Sequence, residues 1–292
     1  MDIEVAMFVI SMNPVAFTIG SLEVRWYGIL IAIAVAAVIL WMIRQVDKRK
    51  PNLPAPPDMM VAPVGIISGI IGAKLVHVLE RVDYYIQNPT AVFSGGGFAI
   101  YGGVLGTTLG IWIYLKLSRR QRKDQHFGFF TDLVAPGIIL AQAIGRVGCT
   151  INGCCHGKPA PDWLPWSVVY THPNTECAVP GVAVHPTQPY EIIFCLIGFA
   201  VLLKLRKGLE MMEGALFMVY LIMYSAWRFG IGYLRSDLQF TPLGLSQSQI
   251  ISLVVLVVAI VLLVRMRLRF RASQQKTGSG EDSSPPATLP AD

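Results

Sequence analysis

The chain has 292 residues, of which 53% are hydrophobic and only 14% are charged, and its mean hydropathy is +0.54. Soluble domains carry about 25% charged residues, so these values exclude an ordinary soluble globular protein. The formal net charge is +6, but the cations stand in short blocks between apolar runs, whereas nucleic-acid binding needs a continuous basic patch or stripe.

The beginning of the chain does not look like a cleavable signal peptide. The residues Met1-Asp2-Ile3-Glu4 carry acids where a signal peptide has a positively charged region. The first long apolar segment has no small-residue cleavage site at its end. We therefore expect that segment to be retained as a membrane span.

A transmembrane helix needs about 20 mostly apolar residues. The sequence contains seven such candidates, at residues 25–43, 59–80, 97–117, 128–147, 191–205, 213–231 and 248–265. We therefore predict an all-α membrane protein of about seven transmembrane helices, with one transmembrane domain over residues 1–271. We expect residues 148–190, rich in Pro and Trp, to form a small extracytoplasmic cap, and residues 272–292 to be a disordered cytoplasmic tail.

Basic residues follow alternate spans and set the predicted direction. Cytoplasmic loops of membrane proteins are enriched in Lys and Arg. The N-terminus is therefore predicted outside and the C-terminus in the cytoplasm. The blocks follow spans one and three, end span five and follow span seven: Arg44, Lys48, Arg49, Lys50; Arg119, Arg120, Arg122, Lys123; Lys204, Arg206, Lys207; Arg265, Arg267, Arg269 and Arg271.

A second group of cations falls on the predicted extracytoplasmic side. A charge in the bilayer costs about 2.5–3.5 kcal/mol even on the lenient insertion scale, so we expect anions to compensate the group. For Arg25 and Arg81 we favour lipid headgroups. For Arg146 and Arg228 we predict a bound phosphate, because the planar guanidinium donates two parallel hydrogen bonds to it. The group comprises Arg25, Lys74, Arg81, Arg146, Lys158, Arg228 and Arg235.

Tyrosines and glycines are predicted at the same membrane level. Tyr27 begins span one, and Tyr101-Gly102-Gly103 begins span three. Tyrosines at this depth are ordinary interface anchors. Paired glycines allow the close approach of either a ligand or a neighbouring helix, and the sequence leaves both alternatives open.

Five stretches carry a family resemblance when they are taken together. They read RWYG at 25–28, YGGVLG at 101–106, GRVGCTINGCCHG at 145–157, HPTQPYE at 185–191 and YSAWRF at 224–229. In this order the chain resembles the prolipoprotein diacylglyceryl transferase family, as a divergent member. The resemblance implies a seven-helix bacterial inner-membrane enzyme whose active centre faces the periplasm or exterior.

The resemblance also implies an activity and its partners. Such enzymes transfer the diacylglyceryl group of phosphatidylglycerol to the lipobox cysteine in the signal peptide of a prolipoprotein, forming a thioether and releasing glycerol phosphate. Membrane lipids are expected partners, and no cofactor is expected. The alternative is a non-enzymatic phospholipid-binding or transport protein with an extracytoplasmic Cys/His site for metal or redox chemistry.

Site residues follow from the same resemblance. Arg146 matches the family's phosphatidylglycerol-binding arginine, and Arg228 matches its second essential arginine. The predicted catalytic set is Arg146, Arg228, Tyr101 and His185. The predicted substrate-binding set is Arg146, Tyr27, Gly102, Gly103, Asn152, Gly157, Arg235 and Gln188.

The sequence departs from the family pattern at four positions. Tyr101 stands where the family has a proposed general-base histidine, Cys149 where it has Asn, Cys154 where it has Glu, and Gly232 where it has Glu. The phosphate-binding residues are therefore retained while the residues that handle protons differ. Candidates to accept the thiol proton are Tyr101, His156 and His185.

Four cysteines lie in or beside the predicted cap. Cys149, Cys154, Cys155 and His156 have the spacing C-x4-C-C-H, which is not a standard zinc pattern, and we assign no metal ligand. An oxidising exterior favours disulfides, so we expect Cys177 to pair with Cys154 or Cys155, or the thiols to be inert.

Overall fold

The computed structural model describes residues 8–20, 22–49, 60–80, 82–93, 100–118, 127–209, 212–236 and 244–281. Within these residues the chain forms eight α-helices and five short β-strands. The helices are α1 Trp26–Arg49, α2 Val61–Glu80, α3 Val82–Gln87, α4 Ile100–Ser118, α5 Phe127–Asn152, α6 Thr187–Leu209, α7 Ala215–Ile231 and α8 Gln247–Glu281. A 3₁₀ helix covers Pro89–Phe93.

Seven of these helices coincide with the seven predicted spans, and α3 is the additional short one. Four helical stretches are long and apolar enough to cross a membrane: Trp26–Val46, Val61–Leu79, Phe127–Asn152 and Gln247–Gln275. Large apolar side chains such as Ile70 and Leu109 are exposed on the helices, as lipid contact requires. The predicted all-α membrane class is confirmed, while the count of seven crossings and their direction stay predictions.

The strands were not predicted from the sequence. β1 (Phe8–Ile10) pairs in parallel with β4 (Val168–Tyr170), which pairs antiparallel with β5 (Ala183–Val184). β2 (Val15–Ile19) and β3 (Leu22–Arg25) form a separate antiparallel hairpin just before α1. The predicted cap segment is thus tied to the beginning of the chain by β-sheet hydrogen bonds.

Helix α8 is longer than predicted. It continues to Glu281, so the first ten residues of the predicted disordered tail, 272–281, are helical. Once a helix has formed, each further residue orders only its own backbone and adds one hydrogen bond. Polar residues can therefore continue α8. Residues 282–292 lie outside the described part of the chain.

The chain divides into two compact units. One comprises Met1–Leu40 with Thr131–Asp292, and the other comprises Trp41–Phe130. In the smaller unit, α2 and α4 pack through small residues. A Cβ on Gly102 or Gly106 would collide with the backbone of α2 at Gly72, and Thr107 Oγ1 donates a hydrogen bond of 3.0 Å to the Gly65 carbonyl.

In the larger unit, α5, α6 and α7 share one apolar core. Ile139 of α5, Cys195 and Leu202 of α6, and Leu216 of α7 are fully or almost fully buried there. The Asp132 carboxylate accepts hydrogen bonds from the backbone N–H groups of Gly214, at 2.7 Å, and Phe217, at 2.8 Å. These donors lie at the start of α7, where a helix leaves backbone N–H groups unpaired, so α5 fixes the position of α7.

Candidate active site

The two arginines predicted to bind phosphate belong to one group of polar side chains. Arg146 Nε lies 3.0 Å from Glu191 Oε2, and the Glu191 side chain is only 2% exposed. The Tyr224 hydroxyl donates to Glu191 Oε1 at 3.4 Å. Arg228 interacts electrostatically with Arg146, Glu191 and Tyr224. We refer to Arg146, Glu191, Tyr224 and Arg228 as the arginine cluster.

The arginine cluster lies where the ends of three helices meet residues 153–186. These residues connect α5 with α6 and are the part of the predicted cap that we call the cap segment. Arg146 lies near the C-terminal end of α5, and Glu191 lies near the N-terminal end of α6. Tyr224 and Arg228 lie near the C-terminal end of α7. The rings of Phe194 and Trp227 stack 4.5 Å apart, which holds α6 against α7 beside the cluster.

Arg228 is the arginine of the cluster that forms no direct ion pair among the described residues. Its Nη1 atom is buried and finds no hydrogen-bond partner among the described residues. A buried donor without an acceptor costs free energy, and more so when it is charged. The arginine cluster carries two guanidinium charges and one carboxylate charge, a net charge of +1, and Arg235 adds a further positive charge near Arg228, so the cluster favours an anionic ligand.

The HPTQ motif holds the loop that follows α5. Thr187 Oγ1 donates to the Cys155 carbonyl at 2.7 Å, and Gln188 Nε2 donates to the Cys154 carbonyl at 2.8 Å and to Tyr170 Oη at 3.1 Å. Gln188 is 1% exposed. These contacts make Gln188 a scaffold residue of this loop, while its Oε1 atom is buried without a partner among the described residues, and its role in binding substrate stays a prediction.

Gly157 is also required by packing. A Cβ at this position would lie 2.5 Å from His185 Cβ and 3.0 Å from the Leu234 carbonyl oxygen. Gly157 also forms an antiparallel bridge with Arg235, which is 4% exposed. The glycine thus joins the cap segment to the residues after α7, and its substrate contact stays a prediction.

Arg25 forms an ion pair with an acid of the cap segment. Its Nη1 lies 2.7 Å from Glu176 Oε1 and 3.4 Å from Asn152 Oδ1. Asn152 Nδ2 donates to Glu176 Oε2 at 2.7 Å. The headgroup contact expected for Arg25 and the substrate contact expected for Asn152 stay predictions, and Asn152 orients this ion pair at the end of α5.

Two further predicted cations lie in the smaller unit. Lys74 Nζ lies 5.7 Å from the centroid of the Tyr85 ring, a cation–π distance, so an aromatic face stabilises this charge. Arg81 lies outside the described residues.

The two candidate histidines differ in how many of their ring nitrogens form hydrogen bonds. His156 Nδ1 bonds to the Gly157 carbonyl at 2.9 Å, and its Nε2 accepts from the Ala178 N–H at 3.2 Å. Both ring nitrogens are used, so His156 is not available as a base. His185 Nδ1 is buried and has no partner within the described part of the chain. The backbone of Tyr101 lies in the first turn of α4, but its side chain is outside the described residues.

The paired glycines resolve one of the alternatives left open by the sequence. Gly102 faces α2 so closely that a Cβ would collide with it, whereas a Cβ on Gly103 would make only ordinary contacts with Ala73 at 3.6 Å. At Gly102 the close approach is therefore that of a neighbouring helix and not of a ligand. Tyr27 lies against Gly148, whose Cβ would be 3.2 Å from Tyr27 Cα.

All five cysteines are free, so the expected disulfide from Cys177 is wrong. Cys177 packs in the small core of the β4–β5 sheet, and burial raises the pKa of its thiol. The sulfurs of Cys149, Cys154 and Cys155 instead lie within 4.8 Å of one another.

Hydrogen bonding among these three thiols, the thiol cluster, distributes their acidity unevenly. Hydrogen bonds from the Cys149 and Cys154 thiols hold the pKa of Cys155 well below its usual value, and Arg235 adds a positive charge nearby. The pKa of Cys154 is raised by its hydrogen bonds to the other two thiols and by burial.

The glycine at position 232 is explained by a side chain from α8. A Cβ on Gly232 would lie 2.8 Å from Gln249 Cγ, and Gln249 Nε2 donates to the Phe229 carbonyl at 3.1 Å. Gln249 fills the space that a larger residue at 232 needs. The departure from the family pattern at this position therefore has a local packing cause.

Two members of the arginine cluster were not recognised from the sequence. Glu191 and Tyr224 were noted only as parts of motifs, because their contacts with Arg146 join residues far apart in the chain. A usable signal was the isolated acid in the otherwise apolar helix α6, since a buried carboxylate needs a cationic partner.

Comparison with known proteins agrees with these observations. The family described as Prolipoprotein diacylglyceryl transferase matches residues 14–265. A phosphatidylglycerol–prolipoprotein diacylglyceryl transferase of Dehalococcoides mccartyi is 44% identical over 256 residues, which cover 86% of this chain and 92% of the relative. Relatives of the same name from Clostridioides difficile and Clostridium tetani are 37% and 35% identical, covering 83% and 84% of this chain and 91% and 94% of their own lengths. The chain belongs to the prolipoprotein diacylglyceryl transferase family.

Proposed function

We propose that this membrane enzyme transfers the diacylglyceryl group of phosphatidylglycerol to the lipobox cysteine of a prolipoprotein. The cysteine sulfur forms a bond to the glyceryl carbon, and the bond from that carbon to the phosphate oxygen breaks. The thiol proton passes to a base, and glycerol phosphate leaves with the bonding electrons. The product is a thioether. Family membership and the names of the relatives support this reaction.

The charge of the arginine cluster fits the ligand. The phosphodiester of phosphatidylglycerol carries about one negative charge at neutral pH, and breaking its ester bond adds a developing charge on the leaving phosphate oxygen. Preorganised donors aimed at a developing charge are usually the largest single contribution to catalysis. The net charge of +1 in a buried site supplies such donors.

We assign separate roles to the members of the cluster. Arg146 and Arg228 hold the phosphate, while Glu191 and Tyr224 position Arg146. The observation that carries the proposal is the buried Nη1 atom of Arg228, which has no acceptor among the described residues. The proposed substrate-binding set also keeps Tyr27, Gly103, Asn152, Gly157, Gln188 and Arg235.

We propose His185 as the group that accepts the thiol proton. A free thiol has a pKa of about 8.5, so only modest assistance is needed, and an imidazole titrates near the required range. The unpartnered Nδ1 atom of His185 distinguishes it from His156. Tyr101 is the competing candidate, and a His185→Gln variant compared with a Tyr101→Phe variant separates the two. The His185 variant should show the larger loss of rate at neutral pH.

We further propose that the site faces the extracytoplasmic side of the bacterial inner membrane. The basic blocks at the end of α1, after α4, at the end of α6 and in the second half of α8 support this direction under the positive-inside rule. The arginine cluster lies at the opposite ends of α5, α6 and α7 from those that the rule assigns to the cytoplasm.

The experiment uses the full chain, reconstituted in vesicles that contain phosphatidylglycerol, with a lipobox peptide as acceptor. Mass spectrometry should detect the peptide with one diacylglyceryl group in thioether linkage. Vesicles of phosphatidylethanolamine alone, and a peptide with serine in place of the lipobox cysteine, should give no product. Binding of phosphatidylglycerol without any transfer would contradict the enzyme assignment and favour the non-enzymatic lipid-binding alternative.

A further inference from the structure

The thiol cluster is not used by the proposed transfer reaction. Cys149 is buried near the C-terminal end of α5, and Cys154 and Cys155 lie half-buried in the loop that follows it. Their three sulfur atoms all lie within 4.8 Å of one another. Convergence of three thiols at one point calls for a chemical explanation beyond packing.

The backbone holds these thiols together. The Gly153 N–H donates to the Cys149 carbonyl at 3.0 Å, and Gly153 has a φ of 80°. Cys155 has a φ of 64°, in the left-handed region, and no other non-glycine residue in the described part of the chain has a positive φ. A strained backbone of this kind persists only when its surroundings enforce it, and such residues cluster at functional sites.

Side chains from α6 fix the same loop from the other side. The Cys154 and Cys155 carbonyls accept hydrogen bonds from Gln188 and Thr187, at 2.8 Å and 2.7 Å. Both donors are almost fully buried. The carbonyl groups are therefore pinned, and the thiol groups are left to face one another.

The size of the cluster suits a single metal ion. With metal–sulfur bonds of about 2.3 Å, three sulfurs around one ion lie about 4 Å apart. The present separations of at most 4.8 Å require each thiol to move by less than about 1 Å. Side-chain rotation provides this without changing the pinned backbone.

The neighbouring groups favour three sulfur ligands and no fourth ligand from the protein. Both ring nitrogens of His156 are already bonded, and Glu191 is paired with Arg146. Arg146 Nη1 lies 3.7 Å from Cys149 Sγ, where it supports negative charge on a ligating sulfur, as outer-shell donors do. Structural zinc sites almost always have four ligands, whereas soft thiolates select copper(I) as well as zinc.

We propose that Cys149, Cys154 and Cys155 form a three-coordinate thiolate site for a copper(I) ion. Three sulfurs in one small, partly buried pocket satisfy this soft, singly charged ion without a further protein ligand. The site adjoins the arginine cluster through Cys149 and Arg146, but the proposal is independent of the transfer reaction because binding is measured without it.

The test titrates the reduced, detergent-purified full chain with copper(I) buffered by a chromophoric chelator. The wild-type protein should bind one copper(I) per chain and develop an ultraviolet sulfur-to-copper charge-transfer band. Cys149→Ser, Cys154→Ser and Cys155→Ser should each weaken copper(I) binding by more than about 100-fold. Loss of an outer-shell partner costs up to about 100-fold in affinity, and loss of a ligand should cost more. Cys177→Ser and Cys195→Ala, at buried cysteines outside the cluster, should bind like the wild type.

A second measurement uses only the unaltered chain, in case a serine variant does not fold. Copper(I) should protect Cys149, Cys154 and Cys155 from alkylation, as read by peptide mass spectrometry, and leave the reactivity of Cys177 and Cys195 unchanged. Three results would overturn the proposal. They are equal copper(I) affinity in the wild type and the serine variants, binding of zinc(II) in preference to copper(I), and a native disulfide that joins two cluster cysteines.

Discussion

Arg146 and Glu191 show how one buried acid can prepare an arginine for a ligand. The Glu191 carboxylate accepts a hydrogen bond from the Nε–H group of Arg146. A guanidinium has five N–H donors in a fixed fork. One further donor, on Nη1, contacts Cys149 Sγ at 3.7 Å, and the other donors are held in a defined direction and stay available to phosphate. This is why we treat Glu191 as a positioning residue and Arg146 as a catalytic one.

The first prediction concerns Glu191→Gln. Loss of the carboxylate leaves the Arg146 cation without its buried partner, and breaking a buried ion pair costs about 3–5 kcal/mol. We expect a clearly lower melting temperature and a fall in kcat of at least about tenfold, with a smaller change in KM, because Arg146 is still present but no longer held. Steady-state transfer kinetics and thermal unfolding in detergent check this.

Glu213→Gln is the matched control, because Glu213 is an exposed acid just before α7. This variant should leave both kcat and the melting temperature unchanged. If Glu191→Gln transfers as fast as the wild type while Arg146→Ala is inactive, Glu191 does not position the arginine.

The sequence alone identified Arg146 and Arg228 but not the side chains that contact them. An arginine in an apolar helix is visible because it is costly there. Its pairing with Glu191, from a helix distant in sequence, depends on the packing of α5 against α6 and has no signature in local spacing. The same reason explains why the ion pair of Arg25 with Glu176 of the cap segment was not predicted.

At the level of elements, the pair α2 and α4 depends on small residues. Glycine lowers the propensity of a chain to form a helix, and this made the beginning of α4 hard to predict. The structure shows the compensation, because the glycines of α4 face Gly72 and its neighbours on α2. Close helix contact and interhelical hydrogen bonds drive association in membranes.

The second prediction tests this contact with Gly106→Ala. The new Cβ would lie 2.9 Å from Gly72 Cα and would collide with the Ser68 carbonyl oxygen, so the two backbones must separate. Overpacking of this kind costs about 1–3 kcal/mol, and the melting temperature should fall. Thermal unfolding of the purified variants measures the effect.

Gly208→Ala provides the control for the same chemical change. Gly208 lies near the end of α6, and a Cβ there has no heavy atom within 4 Å. Alanine favours a helix over glycine by about 1 kcal/mol, so this variant should be as stable as the wild type or more stable. Equal destabilisation by the two variants would show that the α2–α4 contact is not the cause.

For the whole molecule, hydrophobic pattern predicted where the helices lie but not how the cap is built. Long apolar runs report helices because the membrane requires them. Strand β1 pairs with β4 across most of the chain, and three-residue strands have too little pattern to be recognised. The structure of the cap therefore depends on contacts between residues far apart in the chain, and the amino-acid composition does not reveal such contacts.

The third prediction concerns the direction of the chain in the membrane. Trp163, in the cap segment, is 74% exposed, and Lys207 is exposed at the end of α6. In intact cells, a membrane-impermeant maleimide should label a Trp163→Cys variant at once and a Lys207→Cys variant only after permeabilisation. The unaltered chain reports labelling of its own cysteines. The reverse labelling pattern would place the cap and the site in the cytoplasm.

The central claim is that Arg228, whose buried Nη1 atom has no acceptor among the described residues, binds lipid phosphate, and Arg228→Met tests it most directly. Replacing a buried charge by an apolar side chain of similar volume can stabilise a protein by about 1–4 kcal/mol. Transfer from phosphatidylglycerol and thermal unfolding are measured on the same preparation. We predict that kcat/KM falls by at least about 100-fold while the melting temperature stays the same or rises. Full transfer activity in Arg228→Met would contradict the account.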